Sequence, residues 1–375
     1  MRPWRRREQH PDLPLLTVVV AVYDAAPWLP ECLDSVLASH YGALEVVVVD
    51  DGSTDDSGRI ADAYAARDDR VRVVHTPNRG LGAARNEGVR RATGELLGFC
   101  DADDVVPPTA YPVLAGALGV SGSDFVTGSL VRWEAGALEE PRWMRRLHAV
   151  EPRSGLTVED HPEILGDVFA PNKLFRREFW QAAGLAFPEG TRYEDQPTTT
   201  RAYLLGRFDV LVDVVYHWRI RAQGTSITQQ RSSLVDLADR AETKRLSLSS
   251  VRELGSPAVQ ELFLDRVLAG DLHRYFVEIP GCDDAWWELL RAMVLELWGE
   301  RSLVHSGLPP VHRLTGWLVE QGRRSDAAAV MDYVAGLAGA PVPRDRSGAV
   351  PRLAVPVLDA ASVDPAALAL RPHEY

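Results

Sequence analysis

The chain has 375 residues, of which 46% are hydrophobic and 25% charged, values typical of a globular protein with one large and one smaller domain. Its formal net charge of −12 argues against a general nucleic-acid-binding protein, because such proteins carry a basic excess. The three cysteines lack the spacing of metal ligands and fit a reduced, cytoplasmic setting.

The N-terminal segment places a basic stretch before a short apolar run that ends at Tyr23. This order resembles a secretory signal, but the run is rich in valine, as buried parallel strands are. We therefore predict a strand there, preceded by a basic extension over residues 1–14. In that extension Trp4 and four arginines could contact anionic lipid at the inner face of the membrane. No apolar run reaches about twenty residues, so we expect no membrane span.

Apolar strands and amphipathic helices alternate in the next part of the chain. The predicted strands are continuous apolar runs at residues 15–23, 45–49, 71–74 and 96–100. Apolar residues at helical spacing between these runs predict three helices. Because continuous apolar strands are buried on both faces, the pattern predicts an α/β fold with a mostly parallel sheet.

Beyond residue 105 this alternation gives way to a less regular pattern. The sequence predicts a helix near 111–118, a short strand at 124–127 and irregular structure or a hairpin over 129–158. A helix opening at Gln196, with proline in its first turn, and a strand over 210–221 follow.

The rest of the sequence is first helical and then rich in proline and alanine. Apolar periodicity predicts five helices, near residues 234–253, 258–278, 284–298, 311–321 and 326–337. We predict a helical domain over 231–340 that packs against the preceding domain or mediates homo-oligomer assembly. A dispensable tail over 341–375 should follow it.

Acidic residues stand where two of the predicted strands end. The fourth strand ends in Asp101, Asp103 and Asp104, and the second in Asp50 and Asp51. Residues i and i+2 of a strand point the same way, so Asp101 and Asp103 can bracket Mg²⁺ or Mn²⁺. The carboxyl ends of parallel strands are where open α/β sheets bind ligands. An acidic turn with helix-capping aspartates is the alternative, and for Asp50 and Asp55 it stays open.

Six segments together carry a resemblance to a known family. They are Val20-Ala21-Val22-Tyr23-Asp24, Val48-Val49-Asp50-Asp51-Gly52-Ser53-Thr54-Asp55, Asn78-Arg79-Gly80 with Ala84-Arg85-Asn86, Asp101-Ala102-Asp103-Asp104, Asn172-Lys173-Leu174-Phe175 and Glu194-Asp195. Over residues 15–230 the sequence resembles an inverting family-2 glycosyltransferase of the GT-A fold. The resemblance implies transfer of a sugar from a nucleotide-diphosphate sugar, expected to be a UDP-sugar, to an acceptor hydroxyl. The acceptor would be a glycan, a polymer or a lipid-linked molecule of cell-surface polysaccharide or wall-polymer synthesis.

The resemblance implies metal-binding and ribose-side roles for the fourth strand end. Asp103 would be the principal metal-side carboxylate and Asp101 would lie on the ribose side, with Mn²⁺ or Mg²⁺ as cofactor. His217 could be a further metal ligand, because some GT-A enzymes have a histidine there, but a strand histidine without a metal role is favoured, because family-2 members often have tyrosine in this segment. A cation between the acids and the diphosphate would turn repulsion, about 4 kcal/mol per charge pair at 4 Å, into coordination.

Donor recognition is implied for residues near the first two strand ends. Asp51 would recognise the nucleotide base, and Ala21, Tyr23 and Asp24 would line its pocket. Family members usually have asparagine at the position of Asp24. Cations that could contact the diphosphate are Arg85, Lys173, Arg219 and Arg221.

Catalysis is implied for the Glu194-Asp195 pair. Inverting transfer needs one general base, placed on the face opposite the diphosphate. Asp195 matches the second acid of the family motif and is the predicted base, while Glu194 would position it or the acceptor. From spacing alone, Asp195 would be predicted to cap the helix that opens at Gln196, a role compatible with that of a base.

Two other functions remain open at this stage. A nucleotidyltransferase shares the parallel sheet, but such an enzyme needs a glycine-rich loop with arginine after the first strand, and residues 21–27 do not provide one. A catalytically inactive nucleotide-sugar-binding partner of a polymer synthase is the second.

The segments Tyr193-Glu194-Asp195-Gln196-Pro197 and Ser226-Ile227-Thr228-Gln229 are similar to transferase domains linked to wall teichoic-type polymers.

Overall fold

The computed structural model describes residues 13–134, 136–148, 151–221 and 232–375. The chain forms two compact units, Met1–Ser226 and Ile227–Tyr375. The lipid contact expected around Trp4 and the segment at 226–229 lie outside the described residues. Among those that are described, no helix has both the length and the apolar character needed to cross a membrane.

A mixed sheet forms the centre of the first unit. Within the described residues it has nine strands in the order β3-β2-β1-β4-β8-β5-β9-β7, with β6 paired to β5. Their bounds are β1 Leu16–Val22, β2 Leu44–Asp50, β3 Val71–His75, β4 Leu96–Asp101, β5 Phe125–Glu134, β6 Ala137–Glu139, β7 Arg153–Leu156, β8 Lys173–Arg176 and β9 Phe208–Arg219. The first four strands are parallel, whereas β8 runs antiparallel to both β4 and β5.

Helices connect these strands, and the sequence predicts the first four and the last of them. They are α1 Leu29–Leu37, α2 Ser57–Arg67, α3 Leu81–Arg91, α4 Ala110–Ser121, α5 Arg142–Leu147, α6 Arg177–Ala182 and α7 Asp195–Leu205. Strands β1 and β2 are buried along their whole length, as expected of a sheet covered on both faces. The prediction of an α/β fold with a mostly parallel sheet is confirmed.

Strand register brings the acidic strand ends to one edge of the sheet. Ala21 pairs with Asp101 of β4, and Val22 pairs with Asp50 of β2. Helix α3 lies close over this part of β1, because a Cβ atom on Gly88 would stand 2.2 Å from the Val19 side chain. Helix α3 is therefore held against the strand whose neighbours carry the acids.

The region after residue 124 differs from the sequence prediction. The short strand predicted at 124–127 continues to Glu134, because β5 pairs with β9 along most of its length. The stretch over 129–158, predicted to be irregular or a hairpin, contains the end of β5 together with β6, α5 and β7. Pairing with a strand some eighty residues later leaves little trace in local periodicity.

The second unit is helical, as predicted. Its elements are α8 Leu234–Leu254, α9 Pro257–Leu262, α10 Ala269–Phe276, α11 Asp284–Trp298, α12 Pro310–Glu320, α13 Arg324–Gly336, β10 Arg344–Asp345, β11 Arg352–Leu353 and α14 Pro365–Leu368. A π-helical turn over Phe263–Leu268 joins α9 to α10. The core of this unit includes Trp286, Leu290 and Leu318, which are at most 1% exposed.

The proline-rich C-terminal segment, predicted to be a dispensable tail, buries several of its side chains in the helical unit. Leu353, Val363 and Leu368 are buried, whereas Val350 and Val357 are exposed. Near the chain end, Arg313 of α12 donates to both carboxylate oxygens of Glu374, at 2.5 and 2.8 Å. These hydrogen bonds lower the pKa of Glu374 to about 2. The alanine and proline content predicted a tail, whereas side chains of the segment are part of the unit's core.

Truncation after Ala340 should therefore destabilise the helical unit. Each buried side chain lost costs about 1.5–3 kcal/mol, and Arg313, 1% exposed, would be left without its carboxylate. We expect the melting temperature to fall by at least about 10 °C, measured by circular dichroism. Glu374→Gln is the mild comparison and should lower it by a few degrees. An unchanged melting temperature on truncation would show that the segment contributes nothing.

Candidate active site

Three carboxylates from two elements converge on the guanidinium of Arg85. Arg85 lies on α3, and only 2% of its side chain is exposed. Its Nη2 donates to Asp101 Oδ1 at 2.6 Å, and its Nη1 donates to Glu194 Oε1 at 2.5 Å and to Asp195 Oδ1. The end of β4 and the start of α7 thus share one buried cation. Four residues expected to serve donor binding, the metal and catalysis lie together.

Burial is the main electrostatic influence on the two acids at the start of α7. Burial raises the pKa of Glu194 to about 7 and raises the pKa of Asp195, while the charge of Arg85 lowers both. The backbone N–H of Ala170 donates to Asp195 Oδ2 at 3.3 Å. A carboxylate with a raised pKa, held by donors on two sides, is suited to accept a proton near neutral pH.

The helix-cap alternative for Asp195 is wrong. Helix α7 begins at Asp195, one residue before the predicted start, and Glu194 occupies the cap position. Among the described residues no side chain caps this helix start. The Asp195 oxygens instead accept from Arg85 and Ala170.

Two arginines at the end of β9 hold the turn that carries Asp103. Arg221 Nε donates to Asp103 Oδ2 at 2.7 Å, and Arg219 Nε donates to the Asp103 carbonyl oxygen at 2.5 Å. The Arg221 guanidinium also lies 4.1 Å from the centre of the Trp28 ring. Burial raises the pKa of Asp103, and the charge of Arg221 opposes that shift. Both arginines expected near the diphosphate therefore contact the acidic turn.

Asp104 and Tyr216 also fix this turn, and sequence reasoning assigned neither of them a role. The buried Asp104 carboxylate accepts from the Tyr216 hydroxyl and from the Arg219 backbone N–H, both at 2.7 Å. The Tyr216 hydroxyl accepts in turn from the Asp101 backbone N–H at 3.1 Å. The alternating character of β9 was the available signal for Tyr216, and it does not reveal the partner.

Asp101 and Asp103 offer oxygen ligands to a divalent cation. In the part of the chain that the structure describes, no three His, Cys, Asp or Glu side chains are placed to hold one metal ion. His217 therefore does not complete a three-ligand group with the two acids; its backbone pairs with Val105. Each aspartate gives one oxygen to an arginine, and a carboxylate has two. The pair fits Mn²⁺ or Mg²⁺ that shares its coordination with a diphosphate.

The residues expected around the nucleotide base lie at the ends of β1 and β2. The buried Asp51 carboxylate accepts from the backbone N–H groups of Gly80, at 2.7 Å, and Arg79, at 3.1 Å. Ala21 is buried, whereas half of the Tyr23 side chain is exposed. Tyr23 thus presents a free aromatic surface at this edge, while Asp51 is bound to the loop before α3.

Asp24, predicted to line the base pocket with Ala21 and Tyr23, accepts hydrogen bonds from the neighbouring loop. With φ at 45°, Asp24 accepts from the backbone N–H groups of Thr54 at 2.7 Å and Asp55 at 3.3 Å. Asp55 accepts in turn from Ala26 and Ser57, so it serves the start of α2. All these partners are donors, which explains why a carboxylate suits position 24.

Lys173 does not face the donor site, and this prediction is also corrected. Its ammonium group has no exposed surface and lies 2.9 Å from the carboxylate of Asp167. It also donates to the carbonyl oxygens of Phe169, at 2.6 Å, and Asp167, at 3.0 Å. An ammonium group has three protons, and these contacts occupy them. Asp167, absent from the predicted site, is the missing partner.

Residues 17–182 match the family model described as Glycosyl transferase family 2. The uncharacterized glycosyltransferase EpsJ of Bacillus subtilis is 34% identical over 199 residues, covering 51% of this chain and 56% of that protein. Glycosyltransferase GlyG of Streptococcus pneumoniae is 30% identical over 217 residues, covering 56% of this chain and 71% of GlyG. The chain spans little more than half the length of EpsJ.

A solved structure shares the fold over most of the chain. It is S. aureus TarS 1–349 in complex with UDP-GlcNAc, with a TM-score of 0.68 and 20% sequence identity. The match covers 91% of this chain and 97% of that one. At this identity the similarity shows the fold, in which a mostly parallel sheet domain is combined with a helical region.

Proposed function

The chain belongs to glycosyl transferase family 2, and on this basis we propose that it transfers a sugar from a UDP-sugar to an acceptor hydroxyl with inversion at the anomeric carbon. The observation that carries the proposal is the placement of Asp195. Its carboxylate is shared between Arg85 and Ala170, beside Asp101 at the sheet edge where nucleotides bind. Family membership and this base leave the nucleotidyltransferase alternative without support.

In the proposed reaction Asp195 accepts the proton of the acceptor hydroxyl as the new glycosidic bond forms. Arg85 and the Ala170 N–H hold the carboxylate in one orientation, so its proton-accepting oxygen is placed before the acceptor arrives. Glu194, whose pKa is raised, shares the charge of Arg85 with Asp195. Glu194 therefore sets how much of that charge stabilises the base.

Donor binding in this proposal uses the strand ends. Asp51 and the exposed ring of Tyr23 would receive the nucleotide base, and Asp101 would lie beside the ribose. Asp101 and Asp103 would hold Mn²⁺ or Mg²⁺, which would neutralise the diphosphate as it leaves. Because its complex contains UDP-GlcNAc, TarS supports a UDP-sugar as donor.

The acceptor is proposed to be a glycan or a wall polymer. The similarity of the segment around Asp195 to wall-polymer transferase domains supports it. We also propose that the chain contacts the membrane surface peripherally and that the helical unit mediates assembly. Co-sedimentation with anionic vesicles, with and without residues 2–10, separates the membrane contact from a solvated N-terminus.

A panel of nucleotide sugars tests the proposed reaction. The purified chain should release UDP from one or more UDP-sugars in the presence of Mn²⁺, and release should stop with excess chelator. GDP-sugars and dTDP-sugars are matched controls for the nucleotide. If every UDP-sugar stays intact while another nucleotide sugar is cleaved, the proposed donor is wrong. If none is cleaved and none binds, the enzyme proposal fails.

The pH dependence of transfer should show the raised pKa values of the two acids. A general base must be deprotonated, so the rate falls as pH drops through the pKa of the base. Because burial raises the pKa of Asp195 and brings that of Glu194 to about 7, we expect the acidic limb near neutral pH. The measurement is kcat between pH 5 and 9. A constant kcat down to pH 5 would contradict raised values.

A further inference from the structure

Apart from the catalytic residues, five side chains surround one buried carboxylate, that of Asp167. Asp167 has no exposed surface. Its neighbours come from separate parts of the first unit, and we call the six residues the Asp167 cluster. The neighbours are Thr127 Oγ1 at 2.7 Å, Lys173 Nζ at 2.9 Å, Asn172 Nδ2 at 3.1 Å, Tyr203 OH at 3.2 Å and His148 Nε2 at 3.2 Å. More donors converge here than a carboxylate has lone pairs.

The Asp167 cluster binds backbone as well as side chains. The Lys173 ammonium donates to the carbonyl oxygens of Asp167 and Phe169, and the Lys173 backbone N–H donates to the Ala170 carbonyl oxygen. Asn172 Nδ2 also donates to the Gly128 carbonyl oxygen at 2.8 Å. These contacts fold residues 167–172 into one fixed loop on β5.

The fixed loop contacts the proposed base and its helix directly. The Ala170 N–H donates to Asp195 Oδ2 at 3.3 Å. One turn along α7, the Thr199 hydroxyl lies 3.3 Å from the Val168 carbonyl oxygen and 2.9 Å from the Asp195 carbonyl oxygen, within hydrogen-bond distance of both. Arg85 holds the other oxygen of Asp195. The direction of the Asp195 carboxylate therefore depends on where the loop lies.

Stability alone does not account for a lysine and an aspartate with no exposed side-chain surface. Both groups lose their hydration on burial, and an apolar pair of similar volume is often as stable or more so. What an ion pair with many directional hydrogen bonds adds is one defined geometry. In this chain the defined geometry includes the position of the Ala170 N–H, which donates to Asp195.

We propose that Asp167 and Lys173 are positioning residues for Asp195. They fix the loop so that the Ala170 N–H orients the Asp195 carboxylate toward the acceptor hydroxyl. The proposal rests on the proposed function, because it takes Asp195 to be the base.

The test is the double variant Asp167→Asn/Lys173→Met, which removes both charges and leaves no buried charge unpaired. We expect kcat to fall about tenfold to a hundredfold, because a displacement of about 1 Å in a reacting group costs that much. The KM for donor and the dissociation constant of UDP should change by less than about twofold, since the nucleotide-binding residues lie on other strand ends. Transfer is measured with the UDP-sugar that the panel identifies.

Asp209→Asn is the matched control. Asp209 is also fully buried and accepts from the Ser121 and Ser123 hydroxyls and from the Gly155 N–H, and within the described residues its carboxylate has no hydrogen bond to the proposed site. Its variant should lower the melting temperature and leave kcat unchanged. If kcat falls equally in both variants at equal loss of melting temperature, the cluster is only structural and the proposal is overturned. Wild-type kcat in the double variant would also overturn it.

Two further variants keep the test decisive. If the double variant does not fold, Tyr203→Phe removes a single hydroxyl from the cluster, and kcat should fall about threefold at unchanged donor KM; an unchanged kcat would overturn the proposal. Asp195→Asn, assayed in parallel, separates the proposed base role of Asp195 from the proposed positioning role of the cluster. Full transfer in Asp195→Asn would refute the proposed base itself. Loss of transfer there, with wild-type kcat in the cluster variants, would refute only the positioning role.

Discussion

Replacing Asp195 with asparagine should lower the transfer rate by a factor of roughly 10² to 10⁴ while the protein remains folded. Asparagine keeps the shape of the side chain, and its single amide oxygen can still accept from Arg85 or from the Ala170 N–H but not from both, and it cannot take up a proton. The measurement is kcat together with melting temperature and UDP titration. Nucleotide affinity should survive, because Asp51, Asp101 and Asp103 stand on other elements.

Glu194→Gln is the comparison that locates the base within the acidic pair. Glu194 contacts the same guanidinium as Asp195, so its variant changes the local charge equally. We expect a smaller loss than for Asp195→Asn, together with a shift of the acidic limb to lower pH, because one neighbouring negative charge that raises the pKa of the base is gone. Wild-type turnover in Asp195→Asn, with collapse in Glu194→Gln, would move the base to Glu194.

Replacing Asp103 with asparagine should reduce transfer at least about a hundredfold. The variant removes a charged ligand from the proposed metal site and leaves Arg221 without its carboxylate partner. The assay is a Mn²⁺ titration of initial rate, in which the variant should need far more metal and still not reach the wild-type maximum. Wild-type activity should be lost in excess chelator and restored by added Mn²⁺ or Mg²⁺.

Asp56→Asn is the matched charge control for this experiment. Asp56 is exposed and pairs with Arg59 at the start of α2, so its variant loses the same charge from a surface ion pair. Its rate and metal dependence should equal those of the wild type. Full wild-type activity in excess chelator would show that transfer does not require a divalent metal ion.

The sequence predicted the part of the fold whose information is local. Strands β1 to β4 and their helices follow from apolar runs and helical spacing, and the strict alternation gives the parallel order. The acids at the ends of β2 and β4 then fall at one edge because parallel strands end there together. The merging of β5 into a long pairing with β9 depends on residues far apart in the chain.

The side-chain partners could not be predicted in the same way. Lys173 reads as a cation for the diphosphate, because its partner Asp167 lies before the motif and has no pattern of its own. Arg85 similarly reads as a donor contact until α3 is placed over the start of α7. Ion pairs depend on three-dimensional distances of a few ångströms, which spacing along the chain does not determine.

The anomeric configuration of the released sugar shows directly whether transfer is a single displacement that inverts the anomeric carbon. In the absence of acceptor, water can take its place, and Asp195 would deprotonate it on the face opposite the diphosphate. With an α-linked UDP-sugar, ¹H NMR should show the β anomer as the first product, before mutarotation, and Asp195→Asn should suppress its formation. Initial release of the α anomer would contradict a single displacement with Asp195 as base.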